Sequence, residues 1–340
     1  MAGSRGAALA VMCAIAVGVV GCGGGDDDKP AGTDIVIVTP GTRDDPDWTK
    51  QVTDGGQAAA KKLGIRAKVV DGSAGGALKR SLTTRAQLLV VPSEADRSAA
   101  VRLAVGSEVP TLVWGDPNAL KAGLVGDVEA DLRPGAYQAG AMAVQAARER
   151  SIGIVVCDDG SGGWDLSDRF EIAAAYLAGA RSKDPKTKAG YVIAGSDAEG
   201  AKQATVELAK RKLQMIMPIC GAPGNRGVVE GLEQVTKNVE MGEDQLVGLV
   251  GDKGEVNREN IVLTSVMINP AVAIEKALRD IRTDRFGTSV YRLTLANKGI
   301  TLLQTGRTPA DAYEAALKVE PPEQLPLAPE GEDVDKLIAE

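Results

Sequence analysis

The sequence predicts an α/β protein made of two doubly wound parallel-sheet lobes around a ligand cleft. Short apolar runs rich in β-branched residues alternate with helical segments along most of the chain. The alternation occurs twice, and the second series begins at Ile152. Strands separated by helices favour parallel sheets, because a parallel connection needs a long crossover. Two such series are most economically placed in two lobes with a cleft between them.

A targeting segment precedes the fold. The apolar run at 7–20, with Arg5 before it, is too short to span a bilayer. It ends in Val19-Val20-Gly21-Cys22, which matches a bacterial lipobox. Residues 1–21 are therefore predicted to be a lipoprotein signal peptide, with Cys22 as the lipid anchor of an extracytoplasmic protein. The alternative is an ordinary secretory signal cut nearby. Residues 22–33 read as a flexible tether.

Composition narrows the function classes. The chain has 340 residues, a formal net charge of −7 and no histidine. The net negative charge argues against nucleic-acid binding, which is typically marked by a basic surface. The absence of histidine excludes His-based triads, His general bases and most catalytic zinc sites. No nucleophile–base pair can be recognised, so we expect a binding protein without cofactor, metal or catalytic residues, and a monomer.

The stretch 34–50 carries the first candidate site. Residues 34–39 form a β-branched apolar strand, and Asp45 and Pro46 suit the cap and first position of a helix that ends before Gly64. Trp48 and Thr49 then lie in the first turn, beyond the carboxyl end of the strand, where open α/β sheets bind ligands. Trp48 either faces a ligand or packs against the next helix.

The remaining elements divide the chain into lobes. Further strands are predicted at 67–70, 87–91, 110–114, 152–156, 191–194, 214–219, 246–250, 261–263, 290–295 and 300–303. Residues 123–131 read as a connector without a strong pattern. The first lobe is predicted to hold 34–126 and about 264–288, and the second 127–263 and about 289–318. Residues 319–340 read as an acidic, Pro-rich, solvated tail.

Two glycine-rich loops follow strands of the second series. The loop at 158–164 lacks dinucleotide-binding spacing, and the loop at 221–227 lacks the Gly-Lys-Ser/Thr of phosphate loops. In each loop the glycines either form a plain turn or let backbone N–H groups approach a ligand. Cys157 and Cys220 each end a strand. We expect them to be free, buried thiols, because a bridge between the ends of parallel strands is geometrically awkward, although export permits a disulfide.

Six segments, in order between about residues 34 and 303, resemble the basic membrane protein family of substrate-binding lipoproteins. That family serves ABC transporters, and its known members often bind purine nucleosides. The segments are Asp45-Pro46-Asp47-Trp48-Thr49, Ala136-Tyr137-Gln138-Ala139-Gly140, Gly162-Gly163-Trp164-Asp165 through Phe170, Gly221 to Gly227, Gly248-Leu249-Val250-Gly251-Asp252, and Val262 to Asn269. The resemblance implies the fold of type I periplasmic binding proteins.

The resemblance also implies the site. Its expected ligand contacts are Asp45, Trp48, Thr49, Trp164, Asp165, Gly221, Gly224 and Asp252. In the family, two aromatic side chains clamp the base; Trp48 matches the first, whereas Gly195 stands where the second is expected. Ile268 replaces a lysine, and Asp252 matches the ribose-binding acid. Trp164 is the candidate substitute for the missing aromatic.

These observations predict an ABC-transporter solute-binding lipoprotein with a small polar, nucleoside-like ligand. Its expected partners are that ligand, an ABC permease and, through Cys22, the membrane. The alternative is a surface or sensor lipoprotein of the same fold, with a sugar-like ligand or a protein partner.

Overall fold

The computed structural model describes residues 35–39, 46–71, 76, 86–158, 166–195, 197–236, 245–249, 261–323 and 325. These residues form two parallel-sheet lobes with helices on their faces. The strands are β1 Ile35–Thr39, β2 Ala67–Asp71, β3 Leu88–Val90, β4 Thr111–Trp114, β5 Val125–Ala130, β6 Ser151–Cys157, β7 Lys188–Ala194, β8 Met215–Ile219, β9 Gln245–Leu249, β10 Val262–Ile268, β11 Tyr291–Leu293 and β12 Ile300–Leu302. The helices are α1 Pro46–Leu63, α2 Glu94–Ser107, α3 Arg133–Ala146, α4 Leu166–Lys183, α5 Ala198–Lys210, α6 Ala222–Thr236, α7 Pro270–Arg282 and α8 Ala310–Leu317. The predicted α/β class with two parallel-sheet lobes is confirmed.

Each lobe contains one six-stranded sheet. The first sheet has the order β11-β5-β4-β3-β1-β2, and its paired strands run parallel. The second sheet has the order β12-β10-β9-β8-β6-β7, and β12 at its edge runs antiparallel to β10. In both sheets the strand order reverses beside the first strand of the series, β1 or β6. That reversal is the switch point of doubly wound sheets, where ligands bind beyond the carboxyl ends of the strands.

The chain crosses between the lobes at places that differ from the predicted boundaries. Residues 125–130, expected to be a connector, form β5 of the first sheet. Strand β10 extends to Ile268 in the second sheet, whereas we had assigned residues from 264 to the first lobe. Strand β11 returns to the first sheet, although 289–318 had been assigned to the second lobe. Strand membership depends on tertiary pairing, which local patterns do not report.

Helix packing depends on close backbone approaches. Helix α1 packs on α7, and a Cβ at Gly55 would lie 2.9 Å from the backbone nitrogen of Ala271. Helix α5 packs on α6, and a Cβ at Gly227 would lie 1.9 Å from the carbonyl oxygen of Ala198. These two glycines let paired helices approach more closely than any larger residue allows.

The start of the predicted tail is attached to the second lobe. Gln138 is buried in α3 and donates a hydrogen bond from Nε2 to the carbonyl oxygen of Val319 at 3.1 Å. Leu325 is half-buried against the main apolar core. Val319 and Leu325 are therefore attached to the fold, whereas Glu320, Pro322 and Glu323 are exposed, as expected of a solvated segment. Proline and acidic residues dominate the composition of 319–340, so the sequence pattern does not indicate these two contacts.

Candidate functional site

The carboxyl edges of the two sheets meet at one hydrogen bond. Helix α1 follows β1, so its second turn, which holds Gln51, lies at the carboxyl edge of the first sheet. Ile268 is the last residue of β10, at the carboxyl edge of the second sheet. The Ile268 backbone N–H donates to Gln51 Oε1 at 3.1 Å. The hydrogen bond thus joins the two lobes beside the place where the chain crosses from β10 to α7.

An ionic network secures the first crossing between the lobes. Asp131 follows β5 and accepts hydrogen bonds from Arg133 Nε at 2.8 Å and Nη2 at 2.9 Å. Arg133 Nη1 donates to Glu171 Oε2 of α4 at 2.8 Å. The Asp131 carboxylate holds the pKa of Arg133 above its ordinary value, with a further contribution from Glu171. The bidentate geometry fixes the direction in which the chain enters the second lobe.

Several predicted site residues lie outside the described part of the chain. These are Cys22, Asp45, Trp164, Asp165 and Asp252. Trp48 belongs to the first turn of α1, as predicted, but its side chain is outside the described residues. Thr49 is half-buried in the same turn, one turn of helix from Val52 in the core. Their ligand contacts remain predictions.

The second glycine segment is helical. Gly221 is buried just before α6, and Gly224 lies in the first turn of that helix. A Cβ at Gly224 would lie 2.6 Å from Cys157 Sγ and 2.7 Å from Cys220 Cβ. Gly224 therefore has a packing role that explains the residue without a ligand. Its predicted contact with a ligand remains a prediction.

Cys157 and Cys220 form a disulfide, so the expectation of free thiols was wrong. The strands β6 and β8 are neighbours, and their register pairs Val156 with Ile219. The next residue of each strand therefore lies opposite the other, with a Cα–Cα distance of 4.9 Å. That separation falls in the range that a disulfide spans. The bridge ties together the carboxyl ends of two neighbouring strands of the second sheet.

A buried arginine is attached to the same strand end. Arg169 of α4 is 1% exposed and donates a hydrogen bond from Nη1 to the carbonyl oxygen of Cys157. A buried guanidinium needs acceptors, because its charge is costly to remove from water. The contact joins the start of α4 to the end of β6. The carboxyl end of β6 is thus fixed on two sides.

The end of β7 has room for a larger side chain. Gly195 is exposed, and a Cβ built there meets no heavy atom within 4 Å. Asp197 caps α5, since its Oδ1 accepts a hydrogen bond from the Gly200 N–H at 2.6 Å. Gly195 thus leaves open the position where the family resemblance places an aromatic side chain.

A buried carboxylate supports the turn after β4. Asp127 of β5 is fully buried, and its Oδ1 accepts a hydrogen bond from the Asp116 backbone N–H at 2.9 Å. Its Oδ2 is buried and has no hydrogen-bond partner among the residues that the structure describes. Burial raises the pKa of Asp127 to about 6; the Asp116 N–H and Arg97 lower this pKa, and Glu129 raises it. The carboxylate fixes the turn at Gly115, whose φ of +70° suits glycine.

Sequence reasoning missed Gln51 and Asp127. An aspartate inside the run Val125-Gly126-Asp127-Val128 was a usable signal, because a buried acid in a strand needs a specific partner. For Gln51 no local signal exists. Its importance comes from a contact with Ile268, which lies far along the chain.

Among the described residues, no group of three or more cysteine, aspartate or glutamate side chains is arranged to hold a metal ion. No helix among them is long and apolar enough to cross a membrane.

Comparisons with known proteins identify the fold. No family model matches the chain, and a search of curated proteins found no relative. Among solved structures, the chain is similar to an ABC transporter system solute-binding protein from Conexibacter woesei DSM 14684. The TM-score is 0.65 and the identity 18%, over 83% of this chain and 93% of that one. A second is an ABC transporter system solute-binding protein from Aeropyrum pernix K1, with TM-score 0.61, 15% identity, and 90% and 84% coverage.

A third similar structure contains a ligand. It is an ABC transporter periplasmic solute-binding protein from Actinobacillus succinogenes 130z with bound D-allose, with TM-score 0.55, 16% identity, and 79% and 96% coverage. Transcriptional regulators of the LacI family share the same architecture. At these identities the similarity concerns the fold alone. Together with the two switch-point sheets, it shows that the chain has the fold of type I periplasmic binding proteins.

Proposed function

We propose that the protein is the solute-binding component of an ABC transporter and that it closes around a small polar, nucleoside-like ligand. The observation that carries this proposal is the hydrogen bond between Gln51 and Ile268, which joins the carboxyl edges of the two sheets. Ligand binding at that junction stabilises the closed arrangement, because the ligand contacts both lobes only when they are together. A permease can then recognise the closed form.

The structural neighbours support a binding role of this kind. Two of them are named as ABC transporter solute-binding proteins, and a third holds D-allose. The chain has no histidine, which limits the catalytic mechanisms open to it. Recognition by stacking and hydrogen bonds requires neither a nucleophile nor a metal.

The nucleoside class rests on the residue pattern of the basic membrane protein family. Trp48 supplies one aromatic face in the first turn of α1, and Asp252 supplies a carboxylate acceptor for sugar hydroxyls. Gly195 and Ile268 remove a second aromatic face and a donor. We propose that Trp164 serves as the second face.

The nucleoside class can be tested by a substitution at Gly195 that should increase the affinity for nucleosides. Because a Cβ at Gly195 would meet none of the described atoms within 4 Å, Gly195→Phe adds an aromatic face at an open position. Stacking on one aromatic side chain contributes about 1–3 kcal/mol per base. In a Trp164→Ala background, which lacks the proposed second face, calorimetric titration should show purine nucleosides binding roughly tenfold tighter when Gly195→Phe is added. Gly306→Phe, another exposed glycine with open space, is the matched control and should leave affinity unchanged.

A sugar-binding or sensor protein is the second candidate. It is favoured by the open position at Gly195 and by the neighbours that hold D-allose, lactose or ribose. The same titrations distinguish the two. Tight binding of D-ribose or D-allose, unaffected by Gly195→Phe and by Trp48→Ala, would reject the nucleoside class and keep a solute-binding role. If neither sugars nor nucleosides bind, the solute-binding proposal itself fails, and a protein partner becomes the better account.

The membrane anchor is a separate proposal, based on Val19-Val20-Gly21-Cys22. A thiol immediately after small residues is what lipoprotein acylation and cleavage require. Cys22→Ser should abolish incorporation of a clickable fatty acid in cells. Equal labelling of the wild type and the variant would reject the proposed lipid anchor and would leave the ligand proposal unaffected.

A further inference from the structure

Gln51 carries a hydrogen-bond donor without a partner in the described part of the chain. Its Nε2 atom is buried, and none of the described residues accepts a hydrogen bond from it. Its Oε1 accepts from the Ile268 N–H, and only the oxygen of the amide can accept. The orientation of the amide is therefore determined by chemistry. The remaining group is an N–H₂ donor, held at the junction between α1 and β10.

The surroundings leave Gln51 little freedom. Val52, the next residue, is fully buried, and Gly55, one turn along the same face of α1, abuts Pro270 and Ala271. The side chain of Ile268 is itself buried and apolar. A buried amide N–H₂ without a partner is rare in folded proteins and calls for a specific explanation. An acceptor that arrives with a ligand provides one.

We propose that Gln51 Nε2 donates a hydrogen bond to an acceptor atom of the ligand, an oxygen or an unprotonated ring nitrogen. This inference rests on the proposed solute-binding function and names a specificity-determining residue of that site. Gln51 belongs to the first lobe, and Ile268 is the last residue of the second sheet before the chain crosses to α7, whose start packs against α1. In the ligand-bound form the same amide bonds the ligand through Nε2 and β10 through Oε1. One side chain thus links ligand recognition to the junction between the lobes.

The proposal excludes ligands without an acceptor at this place. Ile268 offers only a backbone N–H there, and Gln51 already occupies it. An apolar ligand atom opposite Nε2 leaves the donor unpaired, which costs affinity. Nucleosides and sugars both present suitable oxygens, so the inference holds for either class and is independent of base recognition.

The test compares four forms of the full chain by calorimetric titration: wild type, Gln51→Glu, Gln51→Met and Gln57→Glu. The probes are adenosine, inosine, D-ribose and D-allose. Gln51→Glu keeps the oxygen that accepts from Ile268 and replaces the donor by an acceptor. Gln51→Met removes the donor, and with it the oxygen that accepts from Ile268, without adding charge. Gln57 is exposed on the same helix, so Gln57→Glu controls for the added charge.

Both Gln51 variants should bind the best wild-type probe at least tenfold more weakly, equivalent to about 1.4 kcal/mol. Gln57→Glu should bind within about twofold of wild type, the scatter expected of an exposed change. Wild-type affinity in Gln51→Met overturns the inference, even if Gln51→Glu is weak, because charge repulsion then explains that loss. A wild-type protein that binds none of the probes overturns the proposed function and this inference together. Wild-type binding that persists in both variants overturns the inference alone.

Discussion

Asp127 provides the sharpest prediction about stability, and the change to test it is Asp127→Asn. The asparagine retains an oxygen to accept from the Asp116 N–H and removes the buried negative charge. In the wild type, the carboxyl group has a pKa of about 6 in the folded protein against an ordinary value of 3.8. At about 1.36 kcal/mol per pKa unit, ionising this group costs the folded state roughly 3 kcal/mol at high pH.

The sign of the pH dependence follows from the raised pKa. Between pH 4 and 6 the folded protein binds more protons at Asp127 than the unfolded chain does. Wild-type stability contributed by this group is therefore fully present below about pH 4 and is lost as pH rises through about 6. Asparagine does not titrate. The stability difference should shift in favour of Asp127→Asn by about 2–3 kcal/mol between pH 4 and pH 7.5.

The assay is denaturant unfolding of wild type and variant at pH 4, 5, 6 and 7.5. Asp311→Asn, an exposed change of the same chemistry, is the control and should show a much smaller shift over this range. A stability difference that does not depend on pH would refute the reasoning. A stability difference that shifts in favour of the wild type as pH rises would also refute it. In that case the attraction between Arg97 and the carboxylate would outweigh the cost of burying the charge.

Three further predictions concern packing, the disulfide and closure. Gly227→Ala should destabilise the protein by about 3 kcal/mol or more, because its Cβ would lie 1.9 Å from the Ala198 carbonyl oxygen. The control is Gly106→Ala, at a helical position with open space, which should stabilise the protein by about 0.5–1 kcal/mol. Equal shifts of the melting temperature in the two variants would contradict the close packing of α5 on α6. Reduction of the Cys157–Cys220 bridge, which spans a separation of 63 residues, should lower the free energy of unfolding by about 4 kcal/mol. The reductant should have no effect on the Cys157→Ala/Cys220→Ala variant, and an unchanged wild type would mean that the thiols are free. Saturating ligand should reduce the radius of gyration in solution scattering, whereas an unchanged radius would argue against closure.

Much of the fold could be predicted because its signals are local. The strand at 34–39 was placed within a residue of β1, and the end of α1 at Leu63 before Gly64 is as expected, with a φ of +67° at that glycine. The cap by Asp197 and the proline at the start of α7 were also recognisable. Capping residues, glycines and β-branched runs act over a few positions, so one sequence is enough to find them.

The features that were predicted wrongly from the sequence depend on contacts between distant parts of the chain. Strand β5 contains a glycine and two acids, and it becomes a strand because β4 and β11 pair with it on either side. The disulfide depends on the register between β6 and β8, which no local pattern encodes. Tertiary pairing overrides weak local preference in both cases.

The sequence could predict where the candidate site lies in the fold, but not all of the residues that form it. The carboxyl edges of the two sheets follow from the alternation of strands and helices. The roles of Gln51 and Asp127 follow from contacts with Ile268 and Asp116, which only the assembled structure provides. The glycines at 221–227 were interpreted as a loop, but Gly224 and Gly227 lie in α6. There Gly224 packs against the Cys157–Cys220 bridge and Gly227 against the start of α5.

The most direct test of the central claim is native mass spectrometry of the protein purified without an unfolding step. The spectrum should show one small molecule per chain. Release and fragmentation should identify a nucleoside, and its signal should fall in Gln51→Met. A protein that is empty as purified, and that stays empty when millimolar nucleosides and sugars are added, would contradict the solute-binding account.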